Sequence, residues 1–327
     1  MNRESFIRNR RTDWQQFEAL LARLKTKRES NWTGQQVTEL SRLYRSICYD
    51  LSLVQSREWG TRLEDYLNDL VAQGHNCLYR SPPASPVHIL EFLLYGFPKL
   101  LRSRSIAFAL SAALFTIPLV VSTIIAVVRP DLAALVAGEE ELKQAVDMYS
   151  KDLYSDVDSE YTGQRTMMFG FYVNNNTSIA FRAYALGILA GIGTTVILIS
   201  NGISIGMSMG SMFAAGEPAT TNFSSFVITH GAFELTAIVI SGAAGLVLAQ
   251  GIFIPGNRSR IGSLRYHGRE SLRLALGAGV MLFIAAIIEG YFSPLPIRPG
   301  FKYVAGTITW IIIALWLGRA GRGRPEA

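Results

Sequence analysis

The sequence predicts an all-α, polytopic membrane protein of about five or six spans, two of them a candidate re-entrant pair, behind an N-terminal helical cytoplasmic domain. Three observations predict it. There are four long apolar runs, a fifth apolar stretch of roughly double length, and a basic, helically periodic region at residues 1–104 that carries sixteen Lys or Arg.

The first residues, MNRESFIRNRRTDW, have the basic start of a secretory signal but no apolar run behind it, so this region is expected to stay on the side of synthesis. Trp14, Phe17, Leu20, Leu21 and Leu24 recur every three or four residues and predict a first helix that breaks around Arg28–Asn31. Thr33 is placed to N-cap a second helix through Val37, Leu40, Leu43, Ile47 and Leu51. A third runs from Leu63 through Tyr66, Leu67, Leu70 and Val71 to Leu78. Residues 1–85 therefore read as a cytoplasmic helical bundle. Its two cysteines, Cys48 and Cys77, are expected as buried thiols in a reducing compartment. The run from Ser81 to Pro86 holds three prolines and serves as a stiff linker. Residues 86–105 are expected as an interfacial helix, apolar from Ile89 to Leu101 and closed by Arg102 and Arg104; the alternative is that they are the first turns of the next span.

The membrane domain is expected over residues 106–320, before a short tail at 321–327. Its plain spans are Ile106 to Val128, Gly231 to Ile254, Leu274 to Tyr291 and the shorter Tyr303 to Leu317. Between the first span and the rest lies an acidic loop, 129–182, with nine Asp or Glu against five Lys or Arg. It is expected outside, with a short helix over Glu139 to Ser150. Five arginines in 255–273, and Arg319, Arg322 and Arg324 after the last span, belong inside. Both conditions hold only if the stretch from Ala183 to Ala215 crosses twice or re-enters, with a turn expected near Ser200-Asn201-Gly202. A single long helix there would leave five spans and put the 255–273 loop outside.

Four motifs stand in order along the chain: Phe171-Tyr-Val-Asn-Asn-Asn176, the glycines from Gly187 through Gly191 to Asn201-Gly202, His230-Gly-Ala-Phe-Glu-Leu235 with Gly242 to Gly245, and Glu289-Gly-Tyr-Phe-Ser-Pro294. Together they resemble the stage II sporulation protein M family. Leu43-Tyr-Arg45, Asp50-Leu51, Tyr66-Leu-Asn68 and His75 to Arg80 resemble the longer members, which occur widely outside spore formers. The resemblance implies a cytoplasmic-membrane location and, from the founding member's part in organising a cell-wall hydrolase complex, a role in assembling partners.

Ionisable groups inside a bilayer persist when paired, wet or near the interface. His230 and Glu234 share one helix face at the start of a span, and Glu289 stands at the end of the next, so antiparallel packing brings the three together as a candidate intramembrane polar cluster. Interfacial anchoring and proton or ion handling are both open to it. The spacing is not that of a two-histidine zinc helix, and neither a metal nor a cofactor is expected. Asn174, Asn175, Asn176, Arg182 and Asn201 are expected as polar groups that cap the 183 helix and satisfy re-entrant backbone. Gly187 with Gly191, and Gly202, Gly206 and Gly210, stand four apart and predict helix packing ridges.

No nucleophile with its base is recognisable, so the expectation is a non-enzymatic membrane protein that positions protein partners through residues 1–85 and loop 129–182. The rival is a small-solute or ion permease that uses the His/Glu cluster. The lipid bilayer is the certain partner, self-association is left open, and nucleic acid is excluded because the basic residues flank spans. Both termini are expected in the cytoplasm.

Overall fold

The computed structural model describes residues 2–25, 33–78, 86–150 and 161–323, with side chains at 161–166 and at 168 set aside. The break at Arg28–Asn31, residues 81–85 of the linker, residues 151–160 of the acidic loop and Arg324 lie outside the described residues. Every regular element among them is helical. The chain divides into two compact units, Met1–His88 and Ile89–Ala327.

In the first unit, helices α1 (Arg3–Lys25), α2 (Gly34–Ser56) and α3 (Thr61–Leu78) enclose one apolar core. The periodic residues read from the sequence make it: Trp14, Phe17, Leu21, Leu24, Leu40, Leu43, Ile47, Leu67 and Leu70 are all buried. Thr33 N-caps α2 in a capping box with Gln36. Asp50 is buried beneath this core's polar edge and accepts from Arg10 Nε at 2.8 Å and from Trp14 Nε1 at 2.9 Å. Cys48 and Cys77 form no disulfide and are only half-buried.

The second unit begins with α4 (Pro86–Glu91), a π-helical turn at Phe92–Gly96, and α5 (Phe97–Ser103). Then come α6 (Ser105–Val128), α7 (Pro130–Ala137), α8 (Glu139–Tyr149) and α9 (Tyr161–Ala185), followed by a 3₁₀ turn, Leu186–Ile188. The chain closes with α10 (Ile192–Ala215), α11 (Ala219–Phe253), α12 (Arg260–Ile287), a second π turn at Ile288–Phe292, and α13 (Pro299–Arg319). Among the described residues, five segments are long and apolar enough to cross a membrane: α6, α10, α11, α12 with its π turn, and α13. Their outer faces expose large apolar side chains such as Ile106, Ile124, Val196 and Ile312, as a lipid-facing surface does.

Helix α11 is the centre of this unit and packs against α6, α9, α10, α12 and α13. Close approaches fix the direction of each neighbour. Gly187 lies on Gly245 and Gly191 on Ala249, while Asn176 reaches Glu289 beside His230, so α9 runs parallel to α11. Gly245 lies on Thr194 and Gly242 on Leu198, so α10 runs back against α11. Gly202, Gly206 and Gly210 lie on Phe115, Leu119 and Thr123, which makes α6 parallel to α10. Gly251 lies on Leu264 of α12, and Gly306 of α13 lies on Ile228. The six helices α6, α9, α10, α11, α12 and α13 therefore alternate in direction along the chain.

The 183–215 stretch differs from the expectation. It does not turn at Ser200-Asn201-Gly202, which is continuous helix inside α10. The break lies at 186–191, where Ala190 has φ 57° and Gly191 φ 78°. Chain reversal there is closed by the Thr194 hydroxyl, which donates to the Ala183 carbonyl at 2.7 Å. Ser-Asn-Gly reads locally as a turn, but Gly202 is the residue that lets α10 touch the Phe115 carbonyl, and packing overrides the local preference.

Segment 86–105 is also more than a helix at an interface. Phe97 is fully buried against Gly277 and Trp316, and Arg102 donates to the Leu317 and Ala320 carbonyls at 2.6 and 2.5 Å, capping the C-terminus of α13. Arg104 pairs with Glu270. The arginines at 102–104, 258–273 and 319–322 therefore gather at one end of the bundle. Helix α8 lies at the other, where the Tyr149 carbonyl accepts from Asn222 at 2.8 Å.

Candidate functional site

Near the α8 end, three titratable side chains meet inside the bundle. His230 and Glu234 sit one turn apart on α11, and Glu289 is carried by the π turn that follows α12. The extra residue of a π turn shifts the side chains that follow it around the helix, and such turns recur at functional sites. His230 Nε2 stands 3.6 Å from Glu234 Oε2 and 3.9 Å from Glu289 Oε1. One ligand atom from each residue fits in a group no wider than 4.8 Å.

The surroundings are polar and buried. Asn176 Nδ2 donates to Glu289 Oε2 at 3.4 Å, and Asn175 Nδ2 donates to the Asn176 carbonyl oxygen of the side chain at 3.1 Å. Ser293 Oγ is 3.1 Å from His230 Nδ1, 2.5 Å from Thr229 Oγ1 and 3.1 Å from the Ile288 carbonyl. Lys302 of α13 is buried and donates to the Ser293 carbonyl at 2.7 Å. The Phe226 ring packs edge-on against His230, and the half-buried Tyr172 of α9 lies within electrostatic reach of both carboxylates. Glu234 Oε2 is buried without a hydrogen-bond partner.

Of the other residues singled out in the sequence, Asn176 joins this group. Asn174, Asn175 and Arg182 are exposed on α9, and Asn201 lies in α10, where its Nδ2 is buried without a partner. None of them caps a helix at 183. Residues 174–182 are the interior of α9, and α10 starts only after Gly191. A groove of about 460 Å³ on the flank of α9 and α12, bounded by Phe169, Asn174, Phe181 and Phe283, includes none of the three titratable residues. The glycines lie at helix contacts: a methyl group at Gly206 would overlap Ser122 Oγ and the Leu119 carbonyl, and one at Gly187 would overlap the Gly245 backbone.

Sequence reasoning missed Thr229, Ser293 and Lys302. Ser293 stands four residues after Glu289, a spacing that could have flagged it; Lys302, at the start of an apolar run, reads as an ordinary interfacial anchor.

Comparison with known proteins adds two family matches. A model described as Stage II sporulation protein M matches residues 105–294, which include the whole cluster except Lys302. One described as a domain of unknown function (DUF8413) matches residues 4–80. The chain is also similar to an uncharacterized protein of Methanocaldococcus jannaschii, 28% identical over 137 residues, covering 42% of this chain and 76% of that protein. No solved structure matches.

Proposed function

The chain belongs to the stage II sporulation protein M family, and from that premise we propose that it is a non-enzymatic, multi-pass protein of the cytoplasmic membrane that assembles or positions partner proteins. The observation that carries this reading is the division into two units, each with its own apolar core. A helical unit that buries its own core presents a charged outer surface, suited to contacts that a membrane bundle cannot offer. In this reading the arginine end of the bundle faces the cytoplasm, residues 1–85 are cytoplasmic, and helices α7 and α8, with Asp131, Glu139, Glu140, Glu141 and Asp147, offer an acidic surface outside. Helix α9 is the sixth crossing: its 25 residues span about 37 Å, enough for a hydrocarbon core of about 30 Å.

Affinity purification after mild detergent extraction tests it, comparing the full chain with a variant lacking residues 1–85. Specific proteins recovered with the full chain and lost with the variant are the expected result. An identical protein set from both contradicts the role given to residues 1–85. That outcome would favour a second reading, an ion permease, for which the supporting observation is the buried His230, Glu234 and Glu289 group within the bundle.

A further inference from the structure

We propose that His230, Glu234 and Glu289 bind one first-row divalent cation, with Zn²⁺, Mn²⁺ and Fe²⁺ as the matching class. The inference is independent of the partner-assembly reading and of whether any ion crosses the membrane.

The argument begins with the histidine's second nitrogen. The Ser293 hydroxyl hydrogen has two acceptors close by, the Ile288 carbonyl and Thr229 Oγ1. Thr229 donates its own hydrogen to the Phe226 carbonyl, so the 2.5 Å contact takes the Ser293 hydrogen; we accordingly assign Ser293 Oγ as the acceptor toward His230 and the ring hydrogen to Nδ1. A histidine held this way turns a bare Nε2 lone pair in the opposite direction, the arrangement by which proteins orient metal-bound imidazoles. Here Nε2 faces the two carboxylates, at separations beyond a hydrogen bond.

In their ionised form those carboxylates offer lone pairs and nothing else. Asn176 occupies the far oxygen of Glu289 and leaves Oε1 turned to the histidine. Glu234 Oε2 is buried and unpartnered. Three electron-pair donors thus converge from α11 and the π turn, with no hydrogen-bond donor between them. Leaving such a group uncompensated inside a membrane bundle is costly, and a divalent cation offsets both negative charges at once.

The donor set selects the metal class. One imidazole nitrogen with two carboxylate oxygens suits Zn²⁺, Mn²⁺ or Fe²⁺, whereas Ca²⁺ and Mg²⁺ take oxygen alone and Cu⁺ takes sulfur. Tetrahedral bonds of about 2.0–2.2 Å place neighbouring donors about 3.4 Å apart. The histidine-to-carboxylate separations of 3.6 and 3.9 Å need to contract by only a few tenths of an ångström. The widest pair, within 4.8 Å, closes by a carboxylate swing of about an ångström.

The test uses the full chain in mild detergent, stripped with a chelator and then offered Zn²⁺ or Co²⁺ alone. Bound metal is counted by elemental analysis, the Co²⁺ form is read by its visible absorption, and the melting temperature is followed throughout. The expected result is about one metal per chain, a rise in melting temperature on adding Zn²⁺, and binding weakened at least about ten-fold in Glu234→Gln and Glu289→Gln, which keep hydrogen-bonding amides in place. Asp131→Asn, outside the bundle, should bind as the parent does. Should the Gln variants fold poorly, the stripped parent decides, through its response to Zn²⁺. A parent that retains no metal and does not respond to Zn²⁺, or Gln variants that bind as well as the parent, would overturn the proposal; the first result would mean that protons alone hold the cluster.

Discussion

Asp50 accepts hydrogen bonds from Arg10 and Trp14 at the edge of an otherwise apolar core, and the sequence marks it only through the Asp50-Leu51 motif. Replacing it with alanine strands the buried Trp14 indole N–H, while Arg10 keeps Asp13 and Ser46, so Asp50→Ala should cost about 1–3 kcal/mol. Urea unfolding of residues 1–88, followed by tryptophan fluorescence, measures this; a loss below about 0.5 kcal/mol, the range of an ordinary surface change, contradicts it. The membrane cluster has the same logic with a different degree of legibility. His230, Glu234 and Glu289 could be grouped from sequence because an i, i+4 pair at a span's start and a carboxylate at the next span's end are forced together by antiparallel packing. Asn176 and Lys302 could not be placed that way. Asn176 lies in a helix that the sequence presents as a loop, and the target of Lys302 is a backbone carbonyl nine residues away, which leaves no mark in side-chain spacing.

At the scale of elements, the four plain spans and the three helices of the first unit were legible, since their apolar residues repeat at helical spacing over long runs. Helix α9 was not. Asn174, Asn175, Thr177 and Arg182 break its apolar pattern, and only its packing against α10, α11 and α12 makes it part of the bundle. The glycine ridge on α10 carries a paired prediction. A methyl at Gly206 would overlap Ser122 and the Leu119 carbonyl of α6, whereas one at Gly279 of α12 meets nothing within 4 Å. Gly206→Ala should therefore lower the melting temperature in detergent, by an amount corresponding to about 1–3 kcal/mol of overpacking. Gly279→Ala should leave it unchanged or raise it, because alanine favours helix over glycine by about 0.5–1 kcal/mol. Equal behaviour of the two variants would mean that α6 and α10 do not meet along this ridge.

For the whole molecule, direction and charge agree. The six alternating helices bring the arginines of 102–104, 258–273 and 319–322 to one end and α8 to the other. The sequence required an even number of crossings to satisfy the charge rule, and assigned the additional one to a division of 183–215; in the proposed topology α9 supplies it instead. The loop after α11 distinguishes the two possibilities, because a bundle crossed only by the five apolar segments would put it outside. A single cysteine at the exposed position Asn257, introduced after Cys48→Ser and Cys77→Ser, can be exposed to an impermeant thiol reagent on intact cells, with exposed Glu140→Cys of α8 as the external reference. The account predicts that Glu140→Cys reacts from outside and Asn257→Cys only after the membrane is opened. Reaction of Asn257→Cys on intact cells would contradict it.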